Sequence, residues 1–180
     1  MSDGLTPSQI EAAQKFAELA HEQLRAKSAA TVIAGAARMA GTFLFHSFNF
    51  HIENAKPGNA VLSEEANEKG PRLMQILGGV LSYLGIDIGE RFVESNDSND
   101  KPALEFLDTQ KLLEPQFDKI RRDYELSFED AADATAAAVA FLIKENSEVI
   151  DKDAAFGVGV YGFIEGTKTI PFPLPEESHV

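Results

Sequence analysis

The 180-residue chain has no cysteine. Disulfides, thiolate metal sites and cysteine nucleophiles are excluded together, and the redox compartment is left open. Basic residues are scarce beside acidic ones: 16 Lys and Arg against 29 Asp and Glu give a net charge of −13. Such a field repels phosphate backbones and anionic lipid surfaces. The densest basic run, Lys119, Arg121 and Arg122, is flanked by Asp118 and Asp123, so no nucleic-acid partner is expected. Uninterrupted lipophilic runs are also lacking. The most apolar stretch, 29–50, carries Arg38, His46, Asn49 and several small residues. A membrane span wants about 20 predominantly apolar positions, so this one reads as a buried helix and no membrane partner is expected. The N-terminal MSDGLTPSQIEAAQ has no apolar signal-peptide core. A cytoplasmic protein is therefore expected.

What is present is helical periodicity. Apolar residues make up 44% of the chain and charged residues 25%, the balance of one globular domain with a real core. Thr6-Pro7-Ser8-Gln9 forms a capping box, and Ile10, Ala13, Ala17, Ala20 and Leu24 recur behind it, predicting a helix to about Lys27. Ser28 is a cap for a second helix over 29–48, and Ser63-Glu64-Glu65 opens a third. Gly70-Pro71 interrupts that one, so a helix is expected to restart at Pro71 and reach Leu84. Pro102 starts a helix through Leu113, and Pro115 starts or kinks the next, which has a stripe of Phe117, Ile120 and Tyr124. Ser127 caps an alanine-rich helix, and Asp151 caps a last one. A short extended segment is expected near 48–52, where apolar and polar residues alternate. The expectation is an all-α, single-domain bundle of five to seven helices over 1–166. A polar linker lies at 94–100, and an extended tail with prolines at 171, 173 and 175 occupies 167–180.

The stretch GVGVYGFIEG at 157–166 contains the G-x-G-x-x-G spacing of dinucleotide loops. That motif joins a strand to a helix and needs a second strand beyond. Here a helix precedes it and a proline-rich tail follows, so no cofactor is expected. The stretch fits a helix or, with a return through Phe172, a hairpin. Recurrence favours the helix. Ala155, Gly159, Gly162 and Gly166 repeat the four-three-four steps of Ala30, Ala34, Ala37 and Gly41, and Gly78, Ser82 and Gly85 repeat the first two. Glycine in a helix costs about 1 kcal/mol against alanine, so repeated use wants a packing reason, within the chain or at a dimer seam.

Chemistry is thinly signalled. No Ser-His-Asp pattern, nucleophile elbow, Walker loop or histidine-rich motif occurs, and catalysis is not indicated. Glu18 and His21 form a Glu-x-x-His at metal-ligand spacing without the second copy that a di-metal bundle requires. Arg38 is the sole charge between Lys27 and Glu53 and must reach an acid such as Glu64 or Glu65, or else anchor an anionic ligand. In the second case His46, two turns along, joins it beside Phe43, Phe45, Phe48 and Phe50. Two functions are compatible with these residues. One is a non-enzymatic protein that self-associates, as a homodimer, or binds a protein partner. The other is a small-molecule binder, conceivably an enzyme, with a phenylalanine-lined pocket anchored by Arg38 and His46.

Overall fold

The structure is a computed structural model that describes residues 4–89 and 101–175. Six helices appear among them: α1 (Pro7–Leu24), α2 (Ala29–Phe48), α3 (Glu64–Tyr83), α4 (Phe106–Asp123), α5 (Phe128–Glu145) and α6 (Lys152–Lys168). The chain is all-α, as its periodicity implies, and no helix is long and apolar enough to cross a membrane among the described residues. The linker expected at 94–100 lies outside them.

Polar side chains start the helices where expected. Thr6 and Gln9 close the capping box of α1, while Ser28, Ser63, Ser127 and Asp151 accept from the first turns of α2, α3, α5 and α6. Ser28 also divides the N-terminal stretch into two helices instead of one rod. Helix α1 stops at Leu24, one turn short of Lys27. Helix α3 ends in a Schellman turn: Gly85 adopts φ 79°, its N–H donates to the Ser82 carbonyl, and the Ile86 N–H donates to that of Leu81.

Several boundaries differ from the sequence expectation. Pro71 and Pro115 interrupt nothing; each sits inside a continuous helix. A proline there removes the bond to the carbonyl four residues back, at Asn67 and Lys111. Both of those residues are exposed, where a freed carbonyl costs least, while buried Leu73, Leu77, Leu113 and Phe117 anchor the two helices in the core. Pro102 precedes α4 without starting it. No strand forms at 48–52: Phe48 still belongs to α2, and Asn49 ends the helix in the left-handed conformation, φ 53° and ψ 46°. The one β-bridge among the described residues joins Ala60 to Thr169.

Helix α2 is the axis of the bundle. Ala30 through Phe45 are all buried, and all five other helices touch α2. A helix that is small or apolar on every side can only be stable when surrounded. The closest neighbour is α6, and the glycines of GVGVYGFIEG explain why. A Cβ on Gly162 would stand 2.6 Å from the Ala37 Cβ, and one on Gly41 would stand 2.6 Å from the Phe163 carbonyl oxygen and 2.7 Å from the Gly166 Cα. The motif is a helix, and two of its small-residue columns meet inside one chain. Gly159 lies under Leu77 and Val139, and Ala30 is fully buried. The third column behaves otherwise. Gly78 and Gly85 have open space where a Cβ would be, and Ser82 is exposed, so that stripe packs on nothing among the described residues.

A second tie links α3 to α5, where Arg72 Nε donates to both carboxylate oxygens of Asp133 at 3.2 and 3.0 Å. Asp133 is 4% exposed, and burial, opposed by its bonds to Arg72, raises its pKa above the ordinary 3.8.

Gly41→Ala and Gly166→Ala push a methyl into backbone and are expected to cost about 3 kcal/mol in urea unfolding. Gly78→Ala, with space to spare, is expected to gain about 1 kcal/mol; equal effects at both places would contradict the packing. For Asp133, a folded-state pKa above the unfolded one means that the folded state binds the extra proton. Its contribution is therefore greatest below pH 3.8 and declines as pH rises through the folded value. The stability of the native chain relative to Asp133→Asn should fall across that window in parallel pH titrations of unfolding, and a rise would refute it.

Candidate functional site

Residues Arg38, Thr42 and His46 recur every four positions and form one polar line along an otherwise apolar helix. Opposite stands α4, whose inward stripe of Phe106, Leu113 and Phe117 also carries Thr109, Gln110 and Glu114. The two polar lines meet. At one end Arg38, 7% exposed, donates from Nη1 to the Thr109 hydroxyl at 3.0 Å and to the Leu104 carbonyl at 2.7 Å. Its Nε and Nη2 reach the two carboxylate oxygens of Glu165 on α6 at 3.0 and 3.5 Å. The guanidinium is satisfied within the protein, and its charge is paired, which a buried cation requires.

At the other end His46 Nε2 lies 2.7 Å from Glu114 Oε1, with both side chains less than a tenth exposed. Gln110 donates to the second Glu114 oxygen, and its amide also clasps the backbone of Phe172 in both directions. The Phe172 N–H donates to Gln110 Oε1 at 2.9 Å, and Gln110 Nε2 donates to the Phe172 carbonyl at 3.2 Å. The tail is thereby drawn onto its own chain. Further back, the Gly58 N–H donates to the Ile170 carbonyl and the Ile170 N–H to the Asn59 carbonyl, each at 2.8 Å.

Between this tail and the end of α2 opens a cleft of about 430 Å³. Phe45, Phe50, Ile52, Ile170 and Phe172 supply its apolar walls, and His46, His51 and Glu53 its ionisable groups. Phe45, Phe48 and Phe50 pack ring to ring at 5.4 to 6.5 Å and hold the loop after α2 in place. The His46 ring rests 5.3 Å from Phe128, which is itself capped by the Arg121 guanidinium at 4.2 Å. One buried imidazole thus has a carboxylate on one nitrogen and an aromatic face beside it, at the wall of an apolar cleft.

The residues expected from sequence separate here. His46 and Phe45 line the cleft. Arg38 does not: it is two turns away, and its acid is Glu165 in place of Glu64 or Glu65, which sit exposed in the first turn of α3. Phe43 points away from the cleft, because residues two apart on a helix lie about 200° apart. It is fully buried among Phe16, Phe117 and Phe128. Glu18 pairs with Lys15 on an exposed face, and His21 keeps a buried Nδ1 that has no partner among the described residues. Among the described residues no three His, Asp or Glu side chains gather as a metal site.

Sequence reasoning gave neither Gln110 nor Glu114 a place beside His46. The available signal was periodicity: Phe106, Gln110, Leu113, Glu114 and Phe117 share one face, so two polar side chains stand in an apolar stripe. Comparison with protein-family models, with curated proteins and with solved structures gives no match to this chain.

Proposed function

We propose that the protein binds a small, largely apolar molecule in the cleft between the end of α2 and the tail, with His46 as its polar anchor. The observation that carries the reading is the His46–Glu114 pair at the cleft wall. A buried polar pair costs stability unless its hydrogen bonding is well made, and apolar residues of the same size would hold the fold at least as well. Its position beside an open apolar space gives it a use there. The volume lies within the range of about 300–1,000 Å³ typical of ligand pockets, and a few polar groups among aromatic walls is the usual composition. Arg38, engaged by Glu165, does not serve as the cation for an anionic ligand.

A neutral, environment-sensitive probe, N-phenyl-1-naphthylamine, tests this. Saturable one-to-one binding is expected, and Ala55→Trp, on the exposed rim of the cleft, is expected to weaken it about tenfold, or ~1.4 kcal/mol, with the melting temperature unchanged. Equal affinity in both proteins would place the probe elsewhere and remove the reading.

Self-association through α3 and α6 is a second reading. A groove of about 200 Å³ runs between these helices beside Met74 and Ile164, which are 38% and 48% exposed. The open space over Gly78 and Gly79 would let another helix approach. In sedimentation, the native chain would form a concentration-dependent dimer that Ile164→Glu dissolves; a monomer at every concentration would reject it.

A further inference from the structure

We infer that Glu114, oriented through Gln110 by the backbone of the C-terminal tail, holds the proton of His46 on Nε2 and leaves Nδ1 as an acceptor, so that the ligand of the cleft is a hydrogen-bond donor: an alcohol or a phenol. The ligand class rests on the cleft reading above; the proton position does not.

Two groups in the tail have invariant roles. A backbone N–H only donates and a backbone carbonyl only accepts. The Phe172 N–H meets one end of the Gln110 amide and the Phe172 carbonyl meets the other, so Oε1 and Nε2 of Gln110 have a single consistent assignment. Side-chain amides are ordinarily ambiguous about which end is oxygen, and here the tail removes the ambiguity. Gln110 Nε2 must then donate where it meets Glu114 Oε2, so that oxygen accepts. The other oxygen, Oε1, faces His46 Nε2. A carboxylate only accepts, so opposite it the imidazole donates from Nε2. In the neutral ring the proton is therefore on Nε2, and Nδ1 carries the lone pair.

Nδ1 is available to a ligand. His46 is a lining residue of the cleft, and the hydrogen bond of its ring among the described residues is the one at Nε2. Its Nδ1 is also absent from the enclosed orphan atoms, which among the described residues are His21 Nδ1 and Thr42 Oγ1. A site built to accept a hydrogen bond discriminates against a ligand of the same shape that lacks the donor, because the buried acceptor is left without a partner. The aromatic and aliphatic walls take the rest of the molecule.

Three probes of nearly equal size separate the possibilities: 1-naphthol, 1-methoxynaphthalene and naphthalene. Titrated into the full chain at mildly alkaline pH, 1-naphthol is expected to bind about five- to tenfold more tightly than the other two. Equal affinities would overturn the ligand class while leaving the cleft as a binding site. No binding of any of the three would overturn the cleft reading and the ligand class with it. The proton position is read independently by long-range ¹H–¹⁵N NMR of the histidine rings, where His46 is expected as the Nε2–H form. An Nδ1–H form would refute the relay.

Glu114→Gln sharpens the test without emptying the site. Gln110 still demands an acceptor, which turns the amide oxygen of the new side chain towards it and its NH₂ towards His46. Nε2 must then accept, the ring is expected to switch to the Nδ1–H form, and the preference for 1-naphthol over its methyl ether is expected to vanish. A variant that folds and keeps the Nε2–H form would show that the relay does not control the ring. Should the variant fail to fold, the native spectrum alone still decides the proton position.

Discussion

The backbone contact between α2 and α6 is the constraint on which the remaining structure depends. Gly41, Gly162 and Gly166 bring the two helices closer than any side chain would allow, and that approach places the end of α6. Glu165, one residue from Gly166, then reaches Arg38 across the seam. Lys168, the last residue of α6, is delivered to the loop at 58–61, where its carbonyl accepts from the Val61 N–H. The tail leaves from that point and runs past the end of α2, which brings Phe172 to Gln110. A methyl group at the seam would move α6 outwards and pull each of these contacts apart.

The second organising feature is a polar seam inside an apolar bundle. Arg38 and His46 on α2 face Thr109 and Glu114 on α4, and α6 and the tail seal the two ends. Such seams add little net stability, since desolvating the charges offsets most of their attraction. They do define register. Sliding α4 by one turn would take the Thr109 hydroxyl from Arg38 and leave the buried Glu114 carboxylate without His46, a loss of several kcal/mol that apolar packing alone would not impose. The two ends then differ in consequence. The Arg38 end is closed by partners on all sides, whereas the His46 end faces the cleft.

The helices were legible in the sequence because their signals are local. A capping serine and its first turn lie within four residues, and a stripe repeats every three or four. The prolines misled for the same reason. Taken locally, Pro71 and Pro115 forbid a helix, yet the packing of Leu73, Leu77, Leu113 and Phe117 outweighs one lost hydrogen bond. The glycine columns show both outcomes. Gly159 lies under Leu77 and Val139 and Gly162 against Ala37, while Gly78, at similar spacing, packs on nothing among the described residues. The candidate site was half legible. His46 and Phe45 were found as outliers and aromatic neighbours, but Gln110 and Phe172 are ordinary residues, distant in sequence, whose role comes only from where they meet.

By itself, then, the sequence determined the helical class, the caps, the exclusion of thiol chemistry and the fact that Arg38 would need an acid. Each of these depends on residue type or on spacing within a turn or two. The tertiary structure decided which acid Arg38 meets, that the tail folds back onto its own chain, and that the cleft forms beside His46 and not beside Arg38. Those outcomes are pairings across 62 to 127 positions. In a chain with 29 acidic residues the choice of partner is made by helix placement, which no local pattern encodes.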